Sequence, residues 1–230
     1  MTCRTKIIAA VAAVFAALSV CGISDPALAQ SSTVGQNIYV APKGEYATID
    51  VQSTKDAMAR LQATPAGPEH DAAVADLVAK ADRQSPVILF ALAREYTLKG
   101  NYEEALFWTQ AGYIRALYDG RRCTDPSAVS GASELMMTFG ALFKDHQPDA
   151  AEWTRVSNRV LIWDDATPRN YDQRWICLHG MEAISTGLGN ASSGQAVFLP
   201  EDQWPAILTK VHSDYRQAID GLIAKMSAPK

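Results

Sequence analysis

The sequence predicts an all-α fold, a compact bundle of antiparallel helical hairpins. Three observations predict it. Apolar residues recur at three- and four-residue spacing in segment after segment behind residue 50. Val87 to Leu117, VILFALAREYTLKGNYEEALFWTQAGYIRAL, carries two such stripes divided by Lys99, Gly100 and Asn101, the pattern of two helices and a tight turn. From Glu201 to Met226 one broad stripe runs through Trp204, Ile207, Leu208, Val211, Tyr215, Ile219, Leu222 and Met226.

The chain opens with an export pattern. Arg4 and Lys6 precede the uncharged apolar run Ile7–Val20, and Ala27-Leu28-Ala29 offers small residues where a signal peptidase cuts. Residues 1–29 are therefore expected to be a signal peptide. The run is too short for a membrane span, and no second long apolar run follows, so no integral membrane segment is expected after signal removal. Cys21 lies where a bacterial lipoprotein carries its modified cysteine, but Val20 before it is larger than that processing accepts. The expected location is the periplasm or the exterior of a bacterial cell.

Residues 30–50 read as an extended or flexible leader, and residues 51–230 as a single α-helical domain. A first helix spans Ser53–Leu61, with Ser53 as cap and Asp56 in the acidic position of a capping box. Pro65, Gly67 and Pro68 break the chain between Ala63 and His70, and Ala72–Ala81 is helical again. Ser85-Pro86 opens the central hairpin, Gly100 ends its first helix, and Asn101 with Glu104 caps its second. Ala105 and Gly112 permit close helix approach. A further helix follows Asp125-Pro126 with Leu135, Met136, Phe139, Leu142 and Phe143 inward, and another follows Pro148 until Asp164–Pro168. Trp175, Ile176, Leu178 and Met181 suggest a short helix. Gly187–Gly194 is a loop, and Val197-Phe198-Leu199 is apolar enough to dock.

Removing the signal takes Arg4, Lys6 and Asp25 from 21 basic and 25 acidic residues, which leaves a net charge of −5 on 201 residues. With no basic stretch, nucleic acid is not an expected partner. The signal also removes two of four cysteines. An oxidising compartment favours a Cys123–Cys177 disulfide, with two separately buried thiols as the alternative. No metal site is expected from two cysteines without CxxC spacing and four scattered histidines.

Leu92, Ala93, Tyr96, Gly100, Tyr102, Ala105 and Leu106, with Trp108 beside them, resemble one tetratricopeptide or Sel1-like repeat, closest over GNYEEAL. The resemblance covers about one repeat. It implies a concave helical face that grips a protein or peptide, with Tyr96, Trp108, Tyr113 and Arg115 as candidate contacts. The hairpin together with DDATPRNYDQRW and LHGMEA also resembles a group of exported bacterial helical proteins, some of which neutralise secreted toxins.

Enzyme signatures are sparse. GxSxG, phosphate-loop and dinucleotide patterns are absent from the sequence, and no cofactor is indicated. Cys177 with His179 forms a nucleophile–base pair only if the cysteine is free. Asp164-Asp165 and Glu201-Asp202 keep a muramidase-like cell-wall glycoside hydrolase as the alternative to a binding module. That chemistry requires an open groove and one acid in an apolar setting.

Overall fold

The structure, a computed structural model, describes residues 40–144 and 146–228. The expected signal peptide, Cys21 and residues 30–39 of the leader lie outside the described residues. What is described is all-α. Eight α-helices occur among the described residues: α1 (Gln52–Ala63), α2 (Pro68–Ala79), α3 (Pro86–Leu98), α4 (Tyr102–Arg121), α5 (Ser130–Gly140), α6 (Ala150–Ala166), α7 (Met181–Gly187) and α8 (Trp204–Ser227). The described residues contain no strand. A single antiparallel bridge joins Cys123 to Phe198.

Helix α4 is the axis of the bundle. Ala105 to Gly112 are buried without interruption, followed by Ile114, Arg115, Ala116, Tyr118, Asp119 and Gly120. A helix buried on nearly all sides needs neighbours on all sides. On one side Leu106, Phe107 and Ile114 meet Leu61, Leu77, Leu89, Leu92, Val156, Val160 and Val211 from α1, α2, α3, α6 and α8. On the other, Ala116 joins a second core with Tyr46, Ile49, Ala128, Ala132, Trp175, Ile176, Ala183 and Val197. The Cys123–Cys177 disulfide lies in this second core, with its sulfurs 2.00 Å apart.

The central hairpin forms as the sequence predicts. Gly100 takes φ +72°, the left-handed conformation that glycine adopts without a Cβ clash. The Asn101 side chain accepts the Glu104 amide at 3.3 Å. Gly112 is needed for the close approach of α3: a Cβ there would lie 2.9 Å from the Phe90 ring and 3.3 Å from the Pro86 carbonyl.

Elsewhere local chemistry differs from expectation. Asp50, not Ser53, serves the start of α1: its carboxylate accepts both the Gln52 amide at 2.8 Å and the Ser53 hydroxyl. Helix α2 begins at Pro68, just behind Gly67, so the break is shorter than the composition suggests. The Ser85 hydroxyl accepts from Thr54 instead of capping α3. Glu104 does not close a capping box, because its carboxylate is drawn to Arg159 of α6. Asp125 caps a 3-10 turn, Pro126–Val129, and α5 starts only at Ser130. In the leader, Gly44–Thr48 is a 3-10 turn with Tyr46 and Ile49 buried, so this part is docked. Trp175 and Ile176 lie in a further 3-10 turn, Gln173–His179.

Candidate functional site

The four contact residues suggested by the repeat resemblance do not share one surface. Tyr96 is half-buried against the first core and Tyr113 against the second. Trp108 is 4% exposed, edge-on to Phe107 and Trp163. Arg115 has no exposed surface at all. The expectation that Trp108 and Arg115 face a partner is corrected by this burial: both belong to the interior, and neither can be reached without opening the bundle.

Arg115 is instead the hub of a buried charge network. Its Nε donates to Asp164 Oδ1 at 3.0 Å, and its terminal nitrogens donate to the Thr167 carbonyl at 2.7 Å and the Pro168 carbonyl at 3.3 Å. The guanidinium lies 4.1 Å above the Trp163 ring. Asp164 Oδ2 takes Arg169 and the His212 ring, which ties α6 to α8. One turn along α4, Asp119 receives Arg122 at 2.8 Å and both the Tyr171 hydroxyl and the Trp175 indole at 3.0 Å. Arg122 is enclosed by the rings of Tyr118, Phe198 and Trp204.

Burial acts to raise both carboxyls, and the outcome depends on the partners. For Asp164 the His212 hydrogen bond and the Arg169 and Arg115 charges outweigh burial and hold its pKa below the ordinary value. For Asp119 burial wins and pushes the pKa up to about 6, against Arg122, Trp175 and Tyr171. Both carboxylates are closed to solvent and fully engaged. The network is therefore a frame, and DDATPRNYDQRW supplies much of it. The sequence pair Asp164-Asp165 splits: Asp165 points outward with 61% of its side chain exposed. Glu201 and Asp202 are exposed in the 3-10 turn Glu201–Gln203 that precedes α8. Cys177 is in the disulfide, so it has no thiolate to present to His179. No group of three or more potential metal ligands occurs among the described residues.

The candidate site is a groove of about 380 Å³ at one end of the bundle. Leu106, Thr109 and Gln110 of α4 form its floor. Met136 and Gly140 of α5, with Phe143 behind them, make one wall. Pro148 and Trp153 at the start of α6 make another, and Leu222 and Met226 of α8 close the third side. Among the described residues, no acidic, basic or histidine side chain lines it. The Thr109 hydroxyl is used by the Ala105 carbonyl at 2.8 Å. Gln110 is 4% exposed and lines the groove beside Leu106 and Thr109.

The wall next to Pro148 is braced. His146 stacks on Tyr102 with ring centres 4.5 Å apart and meets Glu152 at 3.1 Å. Asp149 caps α6 by accepting the Glu152 amide at 2.8 Å. A larger depression, about 640 Å³, lies beside Arg121, Asp202 and Lys210. Its two cations are already paired with Asp214. The groove is the better candidate because its described lining is largely apolar and drawn from four helices.

Tyr113, an expected contact, lies one turn beyond Thr109 and Gln110 on α4, and the groove-lining Gln110 is not among the expected contacts. The available signal was a glutamine inside the otherwise apolar run ALFWTQAG. Comparison with protein-family models, with curated proteins and with solved structures gives no match to this chain.

Proposed function

We propose that this chain is an exported helical module that binds another protein or a peptide, as an accessory or toxin-neutralising factor, and that the groove between α4, α5, α6 and α8 is its recognition face. The groove carries the reading. A recessed apolar surface with few polar groups, walled by rigid helices, is the usual form of a recognition site. Leu106, one of the residues that resemble the tetratricopeptide and Sel1-like pattern, is both part of that pattern and part of the groove floor. The apolar run behind Arg4 and Lys6 and the Cys123–Cys177 pair support export to an oxidising compartment. No helix among the described residues is long and apolar enough to cross a membrane.

Site-specific photo-crosslinking in intact cells tests the reading. A crosslinker at Met136, on the groove wall, is expected to trap one discrete envelope protein. A crosslinker at Ala218, on the exposed face of α8, serves as control. Equal, diffuse labelling from both positions would sink the proposal.

A further inference from the structure

We infer that the chain has a second interaction surface, the free edge of the extended segment at Phe198, and that it receives an extended peptide segment carrying lysine or arginine. This surface goes beyond the groove between α4, α5, α6 and α8 and shares no lining residue with it.

Backbone geometry carries the first part. The Thr124 amide donates to the Val197 carbonyl at 3.0 Å, and the Leu199 amide donates to the Arg122 carbonyl at 2.7 Å. These two bonds frame the antiparallel bridge between Cys123 and Phe198. Main-chain groups alternate sides along an extended strand. The N–H and C=O of Phe198 therefore point away from the segment Arg122–Thr124. Neither makes a hydrogen bond among the described residues. Leu199 next to it is fully used, because its carbonyl accepts the Trp204 indole at 2.9 Å. Phe198 thus presents one donor and one acceptor on an unpaired edge, to which an extended chain can add as a strand.

A cleft of about 590 Å³ runs along this segment and is lined by every residue from Ala196 to Pro200. At roughly 30 Å³ per water, that is the share of about twenty waters, enough for a short extended stretch. Pro200 has no N–H, and the 3-10 turn Glu201–Gln203 follows at once. The edge is therefore short, and its partner binds reversibly.

Charge names the partner. Glu45, Arg174 and Glu201 are the charged side chains of the described lining. Arg174 is already spent. Its Nε and one terminal nitrogen donate to the Asp172 carboxylate at 2.9 and 2.7 Å, and its other terminal nitrogen donates to the Thr48 hydroxyl at 3.3 Å. Arg122, against the Phe198 and Trp204 rings, is paired with Asp119 at 2.8 Å. Glu45 and Glu201 are exposed and have no ion pair among the described residues. Their field favours a cationic segment and disfavours an acidic one.

The test uses the purified, oxidised chain and two synthetic peptides, acetyl-Val-Lys-Val-Lys-Val-amide and its glutamate counterpart. Amide exchange at Phe198 and Leu199 is followed by NMR. In the free chain Phe198 should exchange faster than Leu199, whose amide is already bonded. The lysine peptide should slow Phe198 exchange about fivefold or more and leave Leu199 unchanged. The glutamate peptide should bind at least about tenfold more weakly. The double variant Glu45→Gln/Glu201→Gln breaks no ion pair, so its fold is preserved. It should bind the lysine peptide about fivefold more weakly, with most of the salt dependence gone.

Equal binding of the two peptides, or undiminished affinity in the double variant, would overturn the inference. So would slow Phe198 exchange in the free chain, or no protection of Phe198 at millimolar lysine peptide. Protection that rises with protein concentration without peptide would overturn it in favour of a second copy of the chain. None of these readouts involves Met136, so this inference and the reading of the helical groove stand or fall separately.

Discussion

Asp164 shows how a single residue can hold several elements. Its two oxygens receive Arg115 from α4, Arg169 from the segment behind α6, and His212 from α8. Removing one partner of a buried pair leaves the other as an uncompensated charge. Asp164→Ala is expected to lower stability by about 3–5 kcal/mol, measured by urea unfolding. His70 provides a different test. Its Nδ1 lies 3.0 Å from the Thr64 carbonyl and its Nε2 2.8 Å from the Glu95 carboxylate, two acceptors that favour the imidazolium form. The Glu95 hydrogen bond raises the His70 pKa above its ordinary value. A raised folded-state pKa gives stability that is complete below the unfolded value and lost as pH rises through the folded one. Thermal midpoints should therefore fall between about pH 6 and pH 8 in the wild type and change less in His70→Gln. Asp119, raised by burial to about 6, gives a separate fall at lower pH, between about pH 4 and pH 6.

At the scale of elements, the α3–α4 hairpin depends on one missing methyl group. Gly112→Ala would place a Cβ against Phe90, whose ring also packs on Phe139 of α5 at 5.1 Å. Overpacking of this kind costs about 1–3 kcal/mol, and the variant's denaturation midpoint should fall accordingly. Gly112 and the Gly100–Asn101 turn could be read in the sequence, because they are local: a small residue on an apolar face, and a glycine followed by a capping side chain. Glu104 could not be read correctly for the opposite reason. Its position predicts a capping box, but Arg159 lies 55 residues away and competes for the carboxylate. The Ser85 hydroxyl is taken in the same way by Thr54, 31 residues away, whereas Ser53 yields the start of α1 to Asp50, a neighbour in sequence. Local patterns locate helices well, whereas the partner chosen by a polar side chain depends on the packed fold.

Over the whole molecule, the same division separates fold from site. Helical periodicity identifies most of the bundle, because each apolar stripe needs only a neighbouring stripe. The groove is assembled from residues between 106 and 226 and depends on where four elements end. Arg115 misleads on its own, since an arginine in a helix usually faces water, and only the distant Asp164 shows why it is buried. The Cys123–Cys177 disulfide spans 54 residues and links the end of α4 to the 3-10 turn at Gln173–His179. Reduction should remove about 4 kcal/mol by the chain-entropy estimate. Calorimetry of the reduced protein and of a Cys123→Ala/Cys177→Ala variant, each against the oxidised protein, should show matching losses of thermal stability.

The exposed loop between α7 and Val197 lies outside the span closed by that disulfide. A protease cut at Ser192–Gly194 would leave α8 on a separate piece, held without a covalent tie. What retains it is Val211, Tyr215 and Ile219 in the core, Asp214 on Arg121, His212 on Asp164, and the Phe198 and Trp204 rings around Arg122. The protein is thus divisible: two fragments expressed apart contain what is needed to find each other, and their reassembly rebuilds the wall that Leu222 and Met226 contribute.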